Sequence, residues 1–215
     1  MSRAAPRIAV LVSGEGSNLQ ALLDAASAGT LGAEIAVVVS NRAAARSLER
    51  ARDAGVPARY LGGKDIARDA YDEALAALLA EYSPALLVLA GFMRILSPKF
   101  VAQFEGRILN IHPSLLPSYP GLDTHRRVLE AGEPWHGATV HFVTADLDAG
   151  PPALQYRLPV RGTDTLESLQ ARVHVGEHFI LPRAVEWFVG GRLRLENGSV
   201  MLDGARLSQP VIMEE

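Results

Sequence analysis

Residues 8–18 read Ile8-Ala9-Val10-Leu11-Val12-Ser13-Gly14-Glu15-Gly16-Ser17-Asn18. Five apolar residues end at a Ser-Gly turn, which predicts a short buried strand. Leu19, Leu22 and Leu23 then share one face of a helix predicted over 18–28, with Gly29 as its stop. The pattern repeats along the first half of the chain. Strands are predicted over 35–39, weakly over 59–61, over 85–90 and over 108–112. Helices are predicted over 43–54, ended by Gly55, over 66–82, and from Ser97-Pro98 through Phe104. Tyr71, Leu75, Leu78, Leu79 and Tyr82 recur at helical spacing. Alternation of this kind predicts an α/β fold: a doubly wound, mostly parallel sheet with helices on both faces and right-handed crossovers.

The second half is different. Residues 113–137 are rich in Pro and Gly, with one short helix near 124–130. Two strands, 138–143 and 153–160, flank a loop over 144–152. A long helix is expected over 164–188, kinked at Pro182 and capped by Asp164 with Glu167 reaching back. Asn197-Gly198 predicts a small hairpin between 192–196 and 199–202. No repeat or linker interrupts the chain. We read 1–215 as one domain, with a phosphate-binding half to about residue 105 and a catalytic half beyond it.

Composition narrows the function. The 215 residues are 48% hydrophobic and 21% charged, ordinary for a globular protein and too apolar for a disordered one. No apolar run is long enough to span a bilayer, and the run 8–12 is too short for a secretory leader. The expectation is a cytoplasmic protein. A net charge of −3 speaks against a nucleic-acid surface. With no cysteine there is no disulfide, thiolate nucleophile or cysteine-type zinc site.

Three stretches could carry chemistry. In 13–18, glycines let backbone N–H groups approach an anion at a helix start. A third glycine is missing, no acidic residue ends the second strand, and the P-loop lysine is absent. The loop therefore suits a phosphate monoester better than NAD or ATP. Glu15 must point away from such an anion. In Asn110-Ile111-His112-Pro113-Ser114-Leu115-Leu116-Pro117, Asn110 and His112 share a strand face at its carboxyl end, where parallel sheets bind ligands. An amide beside an imidazole can polarise a carbonyl and hold the oxyanion formed on attack. Asp148, in Asp146-Leu147-Asp148-Ala149-Gly150, offers a carboxylate on a loop after a strand. Finally, His174-Val175-Gly176-Glu177-His178 spells a metalloprotease pattern, but Gly176 weakens a helix there and no further ligand segment is evident. No metal site is expected. The alternative for that stretch is a solvated helix face.

From Asn110 to Pro117 the chain resembles the folate-dependent formyltransferases of purine synthesis. The resemblance takes in Ser13-Gly14-x-Gly16-Ser17-Asn18, Gly91-Phe92-Met93-Arg94-Ile95-Leu96, His136-Gly137-Ala138-Thr139-Val140-His141-Phe142 and Asp148-Ala149-Gly150. It implies a Rossmann-like formyltransferase fold and a reaction between 10-formyltetrahydrofolate, as co-substrate, and the amine of glycinamide ribonucleotide. It also implies roles. Gly16, Ser17 and Asn18 would hold the ribotide phosphate, and Glu177 would face glycinamide. Arg68, Met93, Arg94, Ile95, Leu96 and Asn110 would contact folate. Asn110, His112 and Asp148 would be catalytic, with His141 in support. Transfer would be direct, without a formyl-enzyme. Two positions depart from the family pattern: Asp123 stands where a histidine is expected, with His125 retained, and Glu15 replaces a neutral or basic residue. The competing readings are a formyltetrahydrofolate deformylase, a methionyl-tRNA formyltransferase, or a non-catalytic binder of folate or nucleotide. The first is expected to carry a domain before the first strand, and the second an RNA-binding domain after the last helix. The Asn110, His112 and Asp148 set speaks against the third. The expected partners are small molecules alone, with no nucleic acid or membrane, and the expected state is a monomer or weak homodimer.

Overall fold

The computed structural model describes residues 5–215; Met1 to Ala4, at the head of the segment read as too short for a leader, lie outside the described residues. Among the described residues, eight strands form one sheet: β1 (Arg7–Val12), β2 (Glu34–Ser40), β3 (Ala58–Tyr60), β4 (Leu86–Leu89), β5 (Ile108–His112), β6 (Trp135–Phe142), β7 (Pro152–Pro159) and β11 (Val211–Glu214). Their order is β11-β7-β6-β5-β4-β1-β2-β3. The strands β3 to β5 on one side are parallel, and β6 alone runs against its neighbours β5 and β7. The sheet is therefore mostly parallel, as the alternation predicts. A second, three-stranded sheet holds β8 (Leu193–Glu196), β9 (Ser199–Leu202) and β10 (Ala205–Arg206), with the predicted hairpin between its first two strands.

Period-two alternation along β1 divides the core. Ile8, Val10 and Val12 pack with α1 (Ser17–Ser27) and the long helix α6 (Leu166–Val189). Ala9 and Leu11 point to the opposite face, against α3 (Arg68–Ala80) and α4 (Pro98–Gln103). Both faces are covered, so β1 from Ile8 onward and β4 are apolar throughout. Each such Leu, Ile or Val contributes roughly 1.5–3 kcal/mol on burial.

Several boundaries differ from expectation for local reasons. Helix α2 (Arg46–Asp53) starts later than residue 43, behind Ala45, which supplies no side-chain cap. Helix α6 is capped by Thr165, not Asp164: its hydroxyl accepts from Ser168 N while Ser168 Oγ accepts from Thr165 N. Asp164 instead accepts from Arg161 N and pairs with Arg172. Helix α6 continues through Pro182. Gly176 is a packing site within it, since a Cβ there would lie 2.1 Å from the Tyr156 ring. Strand β11 was not expected; it extends the sheet beside β7 in parallel register.

The winding reverses between β1 and β4, which are neighbours at the middle of the sheet. The turn after β1, the segment after β4 and the end of β5 consequently meet along one edge, the usual place for a ligand crevice.

Candidate active site

Strand register builds the centre of the site. Asn110 and His112 lie on β5, two residues apart, and the antiparallel β6 sets His141 directly opposite Asn110. Asn110 Nδ2 lies 3.0 Å from His141 Nε2, and His141 Nδ1 lies 3.0 Å from the Phe142 carbonyl. A carbonyl only accepts, so the His141 proton belongs on Nδ1 and its Nε2 accepts from the amide of Asn110. Burial lowers the His141 pKa and favours this neutral form, against the opposing pull of the Phe142 carbonyl and Asp148. One Asn110 amide hydrogen is thereby fixed, and the other remains for a ligand.

The same logic orients His112. Its Nε2 donates to the Tyr119 carbonyl at 3.0 Å, which turns Nδ1 toward Asp148 Oδ2, 3.5 Å away. Asp148 arrives on the loop after β6 in a left-handed conformation, φ 51°. Gly121 N donates to its Oδ2 at 2.9 Å, and Oδ1 lies 3.9 Å from His141 Nε2. Gly150 lets that loop close, because a Cβ there would sit 1.8 Å from the Phe142 carbonyl oxygen. Residues distant in sequence thus converge: Asn110, His112, His141 and Asp148.

A cleft of about 90 Å³ opens beside them. It is lined by Phe92, Arg94, Ile95 and Leu96, by Asn110 and His141, and by residues 143–148. Met93 is exposed next to it, with its N–H donating to Ser13 Oγ, which in turn donates to Asn41 Oδ1. The Arg94 guanidinium donates to the Gly63 carbonyl and lies 4.0 Å over the Tyr71 ring, so its head group anchors this segment to the next layer. Arg68 is exposed at the start of α3 and is not among the residues lining the cleft. A larger, open hollow of about 370 Å³ between α1 and α2 is lined by Gln20, Arg46, Glu49, Arg50, Asp53 and Ala54. It contains none of the converging groups, so the smaller cleft is the candidate site.

The glycine-rich turn borders this region. Gly16 is left-handed, φ 77°, and α1 begins at Ser17. The first N–H groups of a helix have no intrahelical acceptor and face outward. Asn18 Nδ2 donates to Glu177 Oε2 at 2.9 Å, while Asn18 Oδ1 is buried without a partner. Glu177 is buried, which raises its pKa; the Asn18 hydrogen bond and the nearby His174 and His112 oppose the rise. Glu177 therefore does not lie on a solvated face. His174 and His178 stack with centroids 6.2 Å apart, and Glu177 turns to Asn18. Glu15 points to α2, where its carboxylate pairs with Arg46 and Arg50.

Sequence reasoning missed the shell around this centre. Tyr119 and Gly121 hold His112 and Asp148 through backbone groups. Thr139 accepts from Leu116 N and donates to the Ser114 carbonyl, and Gln155 donates to the Leu116 carbonyl and to Thr139 Oγ1. His125 Nδ1 and His136 Nε2 lie 2.9 Å apart, and burial pushes these rings down to about 4 and about 3. Asp123 is exposed and left-handed at the start of α5 (Thr124–Ala131). Thr139 and Gln155, polar residues among the apolar ones of β6 and β7, were the available signal for this shell.

A doubly wound, mostly parallel sheet with a glycine-rich turn and an amide, imidazole and carboxylate at one crevice fits a group-transfer enzyme. The chain belongs to the formyl transferase family, whose model matches residues 6–185. Within it, the chain is 50% identical to the phosphoribosylglycinamide formyltransferase of Escherichia coli, over 93% of this chain and 95% of the relative. The enzyme of that name from Haemophilus influenzae is 45% identical over 94% and 95%. Among solved structures, phosphoribosylglycinamide formyltransferase from Coxiella burnetii in complex with CHES superposes with a TM-score of 0.93 at 47% identity, covering 97% of this chain and 99% of that one.

Proposed function

We infer that this chain transfers the formyl group of 10-formyltetrahydrofolate to the amine of glycinamide ribonucleotide, a step of purine synthesis. The observation that carries the reading is the convergence of Asn110, His112 and Asp148 between a cleft walled by Phe92, Ile95 and Leu96 and the glycine-rich turn. The cleft segment Met93 to Leu96 suits a flat pterin, through apolar side chains and backbone groups. Gly16, Ser17 and Asn18 suit the ribotide phosphate, and Glu177 suits the polar groups of glycinamide.

The amine nitrogen adds to the formyl carbon, and negative charge develops on the formyl oxygen. The free amide hydrogen of Asn110 donates to that oxygen. A protonated His112 adds positive charge beside it. Its Nε2–H is held by the Tyr119 carbonyl here, so direct donation from Nε2 requires residues 113–123 to yield that partner. Asp148 stabilises the imidazolium at Nδ1 and relays the proton, directly or through water. That proton leaves the attacking nitrogen, and the folate nitrogen gains one as the carbon–nitrogen bond to it breaks. No covalent enzyme intermediate and no metal ion is required. The reading also takes the chain as one functional domain acting on small molecules in the cytoplasm, as a monomer or weak homodimer. Supplying 10-formyltetrahydrofolate with and without glycinamide ribonucleotide tests it. Formylated ribotide that appears only with both substrates supports transfer; equal release of formate without ribotide overturns it in favour of hydrolysis.

A further inference from the structure

Three residues of α2 hold the glycine-rich turn from behind. Ser47 N donates to the Gly14 carbonyl at 3.1 Å. Arg50 Nε donates to the Glu15 carbonyl at 2.9 Å, its Nη2 to Glu15 Oε1 at 2.8 Å and its Nη1 to Gln20 Oε1 at 3.0 Å. Arg46 Nη1 donates to the same carboxylate oxygen at 2.9 Å. Helix α2 is also pressed against the turn: a Cβ on Gly16 would lie 2.6 Å from Ser47 Cβ and 2.9 Å from Ser47 Cα.

Peptide geometry makes this contact directional. In a trans peptide the N–H points opposite to the carbonyl. The Gly14 and Glu15 carbonyls face α2, so the N–H groups of Glu15 and Gly16 face away from it. Successive N–H groups presented in this way form a concave anion nest, continuous with the free N–H groups that open α1. The Arg50 side chain is less exposed than that of Glu15, 22% against 58%, and bridges the turn to both α1 and α2.

We propose that Arg50 is a positioning residue for the phosphate turn: it fixes the Glu15 carbonyl so that backbone N–H groups converge on the anion, while with Arg46 it holds the Glu15 carboxylate away from it. The proposal rests on the reading that this turn binds the ribotide phosphate. It assigns Arg50 an effect on one substrate group alone, with no contact to the reacting atoms.

Steady-state kinetics with glycinamide ribonucleotide and with its dephosphorylated riboside separate the two levels. If wild-type enzyme uses both equally well, the phosphate reading itself fails. If it prefers the ribotide, Arg50→Ala is expected to raise the ribotide KM on the order of tenfold, with the riboside kcat/KM, the folate KM and kcat within about twofold. Unchanged riboside turnover shows that the variant is folded. Arg50→Lys keeps the charge but lacks the planar fork whose three nitrogens reach the Glu15 carbonyl, the Glu15 carboxylate and Gln20, and it is expected to retain most of the defect. Glu15→Gln in the Arg50→Ala background distinguishes aiming from charge cancellation. The defect persists in that double variant if Arg50 acts on the backbone. Full recovery there, full recovery with lysine, or a ribotide preference unaltered by Arg50→Ala overturns the proposal.

Discussion

Replacing Asp148 by Asn removes a charge and almost nothing else. Asparagine tolerates the left-handed backbone found there, φ 51°. Gly121 N–H donates to Oδ2, so it fixes the amide oxygen at that position and turns the new NH2 toward His141 Nε2, 3.9 Å from Oδ1. The loop should therefore keep its place. What is lost is the carboxylate 3.5 Å from His112 Nδ1, in a setting where both side chains are less than a tenth exposed. With an effective dielectric of 20, a unit charge pair at that separation is worth roughly 5 kcal/mol. If somewhat over half of this is realised only as the oxyanion and imidazolium develop, the barrier rises by about 2.7 kcal/mol and kcat falls about 10²-fold. Stopped-flow or steady-state measurement of ribotide formylation gives kcat, and thermal melting checks the fold. We expect kcat lower by about 10²-fold or more, a ribotide KM within about threefold and an unchanged melting midpoint. A kcat near that of the wild type would refute the role given to Asp148 here, as would trapping of a formyl-enzyme.

Three further outcomes are expected. Glu177→Gln keeps an oxygen for Asn18 but cannot ionise; since burial raises the Glu177 pKa, the wild type loses stability as pH rises above the unfolded carboxyl range. The variant should melt higher at neutral pH yet show a raised ribotide KM, and a lower midpoint with unchanged KM would contradict this. His125 and His136 titrate in the fold near 4 and 3 rather than at 6.5, so the unfolded chain takes up their protons first. The stability they leave intact above about pH 6.5 is lost as pH falls toward 4, and a melting midpoint flat over that window would exclude it. Gly150→Ala places a methyl group against the Phe142 carbonyl oxygen, so the Asp148 loop must shift. Activity should drop at least tenfold with a lower melting midpoint, measured together on one preparation; a fully active, equally stable variant would show that the loop accommodates the group.

The parts of the fold with a strong local pattern were legible. Strand β1 announces itself as an unbroken apolar run, Ile8 to Val12, and helix α3 by apolar residues that repeat at three to four; the run is buried on both faces and the repeat on one. Elements whose stability comes from a distant partner were not. Strand β11 follows Pro210 at the end of the chain and becomes a strand only beside β7, with Glu214 and Glu215 tied to Arg157 and Arg172. The α6 cap shows another limit. Asp164 with Glu167 reads as a capping pair in sequence, whereas in the fold Thr165 and Ser168 close the box and Asp164 is taken up by Arg161 N and Arg172.

The same division runs through the site. Asn110 and His112 could be paired from sequence because two residues on one strand must share a face. His141 needed the antiparallel register of β6, which no local signal sets, and Asp148 needed Gly121 from a different loop. Glu15 is the sharper case. Read alone, a carboxylate in a phosphate turn is a misfit, and sequence reasoning required only that it point away. The pairing of β1 with β2 carries α2 behind the turn, and the arginines at Arg46 and Arg50, one helical turn apart, meet that carboxylate. The acidic residue and the basic pair then form one unit. Glu15 gives Arg50 a second acceptor beside its own carbonyl, and a bidentate grip on one residue fixes a peptide plane that a single hydrogen bond would leave free to rotate. A residue that looks hostile to the anion thereby helps to aim the backbone that receives it.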